Sequence, residues 1–181
     1  MSLKWLENTI SFIDKFTDTT GKLIAWLTFA MVIFSFAIVV LRYVFNLGWV
    51  AMQESVLYFH AMVFMLGAAY TLKVDGHVRV DIFYQRFSKK QQALVNLFGA
   101  LLLLLPVCIT IFIISFDYVA VSWHIMEKSS EAGGLPLVFI NKSLILLLAV
   151  TLTLQGLAEI GRNFLVIINS NSQTAVIKGG I

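Results

Sequence analysis

Few side chains in this sequence could do chemistry, and each sits beside long apolar runs. Glu54 and Asp117 are carboxylates next to such runs, the setting in which a buried acid could carry protons. His60 lies within an apolar stretch, where an imidazole can ligate haem or relay protons. Haem ligation needs a second histidine at equal depth, yet His77 and His124 fall on opposite sides of the run holding His60. The expected role of His60 is therefore a hydrogen-bonded or interfacial one. Glu54 follows a turn, so it is expected to cap the next helix at the positive end of its dipole. Cys108 is the only cysteine, which excludes a disulfide framework or a thiolate metal cluster within one chain. There is no Gly-rich phosphate loop, no HExxH or cysteine–histidine metal pattern, and no nucleophile with a plausible base. No catalytic, cofactor, metal or substrate-binding residue is assigned, and no enzyme activity is expected.

Three function classes remain on these grounds. One is an accessory membrane subunit. Another is a haem- or quinone-binding membrane anchor of a respiratory enzyme. A third is a small self-assembling proton-coupled exporter, which would have to use Glu54 or Asp117.

The elements that position these residues follow from composition. The chain has 181 residues, 59% hydrophobic and 13% charged, with mean hydropathy +0.88. A soluble domain could not hide that much apolar surface. About 20 apolar residues rising 1.5 Å each cross about 30 Å of hydrocarbon, and four runs are long enough. They cover about 23–44, 55–72, 93–116 and from 137 or 144 to 160. The expected fold is an all-α integral membrane protein of four transmembrane helices. Residues 1–22 place Leu6, Ile10, Ile13 and Phe16 opposite Lys4, Glu7, Asp14, Lys15 and Asp18, which predicts an amphipathic interfacial helix. No cleavage site suggests its removal, so the first span is expected to remain as an anchor. Spans one and two should form a tight hairpin through Asn46, Gly48 and Trp49.

Residues 70–92 carry five cations between spans two and three, with Asp75-Gly76 as a turn. Val80, Phe83, Tyr84 and Phe87 at spacings of three and four predict a short interfacial helix there. Ser88 and Gln91 fit a capping box opening span three, and Pro106 predicts a kink within it. Pro136 suits the first position of the last helix. Residues 23–162 are taken as one four-span domain. Residues 163–181 lose periodicity and read as a mobile cytoplasmic tail. The cations segregate to one membrane face with no basic helix interleaved with stacking aromatics, so nucleic acid is not an expected partner and membrane lipid is.

Several motifs occur in order: Trp49-x3-Gln53-Glu54; Gly67-Ala68-Ala69-Tyr70 leading to Asp75-Gly76-His77-Val78-Arg79-Val80-Asp81; Ser122-Trp123 with Glu127 and Ser129; Gly133-Gly134-x-Pro136; and Gln155-Gly156. Over about Arg42 to Glu159 the set resembles the small membrane subunit of the tripartite ATP-independent periplasmic (TRAP) transporters. That resemblance implies a bacterial inner-membrane protein paired with a large multi-span subunit, which holds the sodium and substrate sites and works by an elevator motion. It also implies a periplasmic substrate-binding protein, and organic acids such as C4-dicarboxylates or sialic acid as substrates. The small subunit would buttress the large one without any cofactor. The matched positions, with Arg42 at their edge, are then expected to serve folding and subunit contacts: Trp49, Gln53, Glu54, Gly67, Ala68, Asp81, Ser122, Trp123, Glu127, Gly133, Gly134, Pro136, Gln155 and Gly156.

Orientation follows from counting Lys and Arg. The N-terminal segment, the 70–92 connection and the C-terminal end hold ten, and the opposite side holds only Arg42, Lys128 and Lys142. Excess Lys and Arg mark the cytoplasmic side, which puts both termini there. Reporter fusions at Arg86 and at the C-terminus should read cytoplasmic and a fusion at Ala132 periplasmic; the reverse pattern at Ala132 would sink the orientation.

Overall fold

The computed structural model describes residues 2–78 and 81–178. All of its regular structure is helical. Four helical stretches, Lys4–Val44, Val50–Lys73, Lys89–His124 and Val138–Asn169, are long and apolar enough to cross a membrane.

Helix α1 (Ser2–Val44) runs unbroken through the junction where a separate interfacial helix was expected to end. Two local facts explain the continuity. Thr19 and Thr20 donate their hydroxyls to the carbonyls of Lys15 and Phe16 four residues back, at 2.9 and 3.0 Å, so they bond within the helix instead of leaving it. Gly21 serves a close approach within the helix. A Cβ there would lie 2.5 Å from the Tyr70 ring on the neighbouring helix.

The hairpin to α2 (Val50–Lys73) turns at Asn46, whose φ of 51° is one that asparagine tolerates. At its other end α2 closes in a Schellman motif. Asp75 takes the left-handed conformation, the Gly76 amide donates to Thr71 O at 2.8 Å and the Asp75 amide to Leu72 O. The interfacial helix α3 (Asp81–Tyr84) is only four residues long, shorter than the 80–87 pattern suggested, and two turns follow it at Arg86 and Phe87. Arg79 and Val80 lie outside the described residues.

Helix α4 (Lys89–Gly99) opens with the expected capping box. The Gln91 amide donates to Ser88 Oγ, and the Ser88 amide donates to Gln91 Oε1 at 2.9 Å. Ala100–Leu104 is a π-helical segment leading into α5 (Leu105–His124). Pro106 has no N–H to donate and its ring crowds the preceding turn, which is where the wider π turn falls.

Helix α6 (Val138–Lys178) is the hub: α1, α2, α4 and α5 all pack on it. It begins two residues after Pro136, because Leu137 O accepts the first bonds, from the Ile140 and Asn141 amides. It continues as helix to Lys178, across the segment that loses apolar periodicity. Burial is concentrated in small side chains, including Ala69, Ala93, Ala149 and Ala158. In lipid, helix association relies on close backbone approach, which such residues permit. The outward faces carry exposed Trp26, Phe36, Phe64 and Ile114.

Candidate functional site

The polar side chains gather at the two ends of the bundle. At the basic end, α1, α2 and α6 meet through Asp14, whose carboxylate accepts both available bonds from Arg162 Nη2, each 2.9 Å. Gln155 Nε2 donates to Asp14 Oδ1 at 3.2 Å, and Gln155 Oε1 accepts the Thr17 hydroxyl at 2.8 Å. Gln155 is wholly buried and its amide is satisfied at both ends. Leaving either end unpaired would cost about 1–3 kcal/mol. Arg162 Nη1 also reaches Glu159 at 2.7 Å. Lys73, the last residue of α2, pairs with Asp18 and donates to Asp14 O at 3.2 Å. A second part of the network ties α3 to α4 and α6: Asn96 Nδ2 donates to Tyr84 Oη at 2.9 Å and reaches Asn163 Oδ1 at 3.5 Å, while Asn163 Nδ2 donates within α6 to Glu159 O at 2.8 Å.

At the opposite end, Glu54 does not cap α2. Trp49 is the N-cap and makes no side-chain capping bond, and Glu54 lies beyond the first turn. Its carboxylate instead reaches the α5–α6 loop, accepting the Ser129 hydroxyl on Oε1 and the Leu135 amide on Oε2 at 2.6 Å. Helix-end electrostatics predict the cap, but the loop offers two convergent donors at closer quarters. Gly133 takes φ +77°, and a Cβ on Gly134 would come 2.8 Å from Glu54 Oε1, so both glycines let the loop fold onto the carboxylate. Glu127 pairs with Lys142 at 2.6 Å, and that ammonium also lies 4.0 Å above the Tyr118 ring. The Lys142 contact holds the Glu127 carboxyl below the usual range. Trp123 Nε1 donates to Ser143 Oγ at 2.7 Å, and its ring meets Phe139 edge-on at 4.8 Å.

The structure thus brings Glu54, Gly134 and Glu127 with Trp123 onto one loop clasp, and sets Ser122, fully buried, beneath it. Gln155 belongs to the other cluster. Gly156 packs inside the chain, where a Cβ would sit 2.8 Å from Leu104 Cδ2, whereas Gly67 faces open space beside Ala68. Arg42 and Gln53 line an open depression at the hairpin tip with Asn46 and Gly48, and Trp49 is exposed. Of Asp81 only the backbone is described. His60 is exposed and stacks on Phe64 one turn away. Among the described residues no three His, Cys, Asp or Glu side chains converge as metal ligands. Asp14, Thr17, Asp18, Lys73 and Arg162 were missed as site residues. The one available signal was their shared position at the basic ends of three apolar runs.

A family model described as the DctQ component of tripartite ATP-independent periplasmic transporters matches residues 15–165. No curated protein and no solved structure matches the chain.

Two outcomes test the clasps. Asp14→Asn and Arg162→Gln should each lower thermal stability in detergent, and the double variant should cost less than the two singles combined. With both groups partly exposed, the coupling from a double-mutant cycle should be about 1 kcal/mol. The second concerns acid. A depressed carboxyl contributes stability that is present above its ordinary range and is lost as pH falls through the lowered folded value. Amide protection over 122–137, corrected for intrinsic exchange, should hold from neutrality to about pH 5 and fall below about pH 4. In Glu127→Gln it should be low and flat across that window.

Proposed function

The chain belongs to the DctQ component family of TRAP transporters, and we propose that it is the static buttress of a sodium-coupled symporter for organic acids such as C4-dicarboxylates or sialic acid. As a TRAP small subunit it is a multi-pass membrane transport component, a member of a system that works with a large membrane subunit and a periplasmic binding protein. The finer reading is that the large subunit carries the moving elevator and the ion sites, while this chain braces its fixed scaffold. It also sets the chain in the bacterial inner membrane with both termini cytoplasmic, in keeping with the cation count.

One observation carries the buttress reading. Charged side chains of the first, second and fourth spanning stretches are tied to one another or to the loop after the third at the two ends, while residues 23–41, 55–72, 91–116 and 143–158 hold no Asp, Glu, Lys or Arg. A brace needs fixed ends and an apolar middle. A solute route would need polar groups at mid-depth, of the kind that mark transport pathways. The exposed apolar faces suit burial against another membrane protein. Gly67, with open space beside it, offers a place for a partner helix to come close.

Sodium-driven uptake in proteoliposomes should require this chain, the large subunit and the binding protein together. Gly67→Leu should weaken co-purification of the large subunit without lowering the thermal stability of this chain, whereas Gly156→Leu, set against Leu104, should lower stability itself. Uptake by this chain alone, or full uptake without it, would refute the assignment.

A further inference from the structure

At the basic end a groove of about 680 Å³ opens between α2 and α4, which both pack on α6. Its volume is that of a ligand pocket, which typically measures ~300–1,000 Å³. Its chemistry is graded. Lys73, Asp75 and His77 from the end of α2 and Glu159 and Arg162 from α6 line one part. Gly99, Ala100 and Leu104 line another, and half-exposed Val95, Phe87 and Val166 flank it. From Asn96 to Leu104 the chain climbs eight residues, about 12 Å at 1.5 Å each, close to one leaflet's share of a ~30 Å hydrocarbon core.

We propose that this groove holds one zwitterionic phospholipid, its head among Lys73, Asp75, Glu159 and Arg162 and an acyl chain along Gly99, Ala100 and Leu104. Charge decides the head group. Among the described residues of the rim, Lys73 and Arg162 are matched in number by the carboxylates of Asp75 and Glu159, with His77 beside them, and the two cations are also paired with Asp18 and Asp14. A head with a net negative charge meets no surplus of positive charge there, whereas one bearing phosphate and ammonium finds both signs. Donors for the phosphate are at hand. Arg162 gives one Nη1–H to Glu159 and its Nη2 hydrogens to Asp14, which leaves Nε–H and the second Nη1–H, and Lys73 has three donors for two acceptors. A partner helix fits less well, since it is about 10–12 Å across and would have to displace the charged rim. The site goes beyond the transport reading and is lined by this chain's own residues.

The test uses the full chain co-purified with its large subunit and placed in phosphatidylglycerol vesicles. The vesicles carry a trace of phosphatidylethanolamine or phosphatidylglycerol with a photoactivatable acyl chain. Peptides covering 95–104 and 159–166 should capture the phosphatidylethanolamine probe about tenfold over the phosphatidylglycerol probe. Gly99→Phe places a ring on the groove wall, at a position where a Cβ meets nothing within 4 Å. It should abolish that capture while labelling of the outward face of α1 around Phe29 and Phe36 stays the same. Equal capture of the two probes, capture insensitive to Gly99→Phe, or a photo-crosslinker at position 99 that couples to the large subunit instead of lipid would each overturn the proposal.

Discussion

The Asp14 carboxylate, held by Arg162 and Gln155, sets the register on which the bundle depends. Apolar helices can slide along one another in lipid with little change in contact area, because lipid tails are as apolar as the side chains. A one-turn slip of α1 against α6 would move Asp14 about 5.4 Å and break its bonds to both residues together with the Thr17–Gln155 bond. Lys73 extends the same constraint to α2 through Asp18 and the Asp14 carbonyl. Three helices are thereby fixed in depth at one level of the molecule.

Between the two polar ends, specificity comes from small residues. Ala69, Ala93, Ala149 and Ala158 are almost fully buried, and Gly21 and Gly156 sit where the Tyr70 ring and the Leu104 side chain would meet any Cβ. Such contacts exchange side-chain volume for backbone proximity, and dispersion then replaces the hydrophobic effect as the main attraction between helices. The bulky residues are displaced to the outside, where lipid or another subunit can cover them.

The Glu54 and Glu127 contacts do at the opposite end what Asp14 does at the basic one. Glu54 binds the α5–α6 loop to α2, and Glu127 binds the end of α5 to α6 through Lys142. With both ends fastened and the middle apolar, the chain is built to keep its shape. That is the property which the proposed buttress role requires.

Much of this was legible in the amino-acid order. Apolar run length required four spans, the Ser88–Gln91 box marked the entry to the third, and the asymmetry of Lys and Arg gave a testable orientation. These are local or additive properties, readable from neighbours within a turn or from counting. The unbroken course of α1 was not legible, because the amphipathic pattern of 1–22 gives way to an apolar run, and the hydroxyl bonds of Thr19 and Thr20 and the Tyr70 ring against Gly21 are seen only in the fold. Nor was the role of Glu54, whose partners lie 75 and 81 residues away, or of Asp14, whose partner Arg162 is 148 residues distant. A carboxylate near a helix end looks the same in sequence whether it caps its own helix or fastens another element. Only the packing of the helices brings one set of donors within bonding distance and leaves the other out of reach.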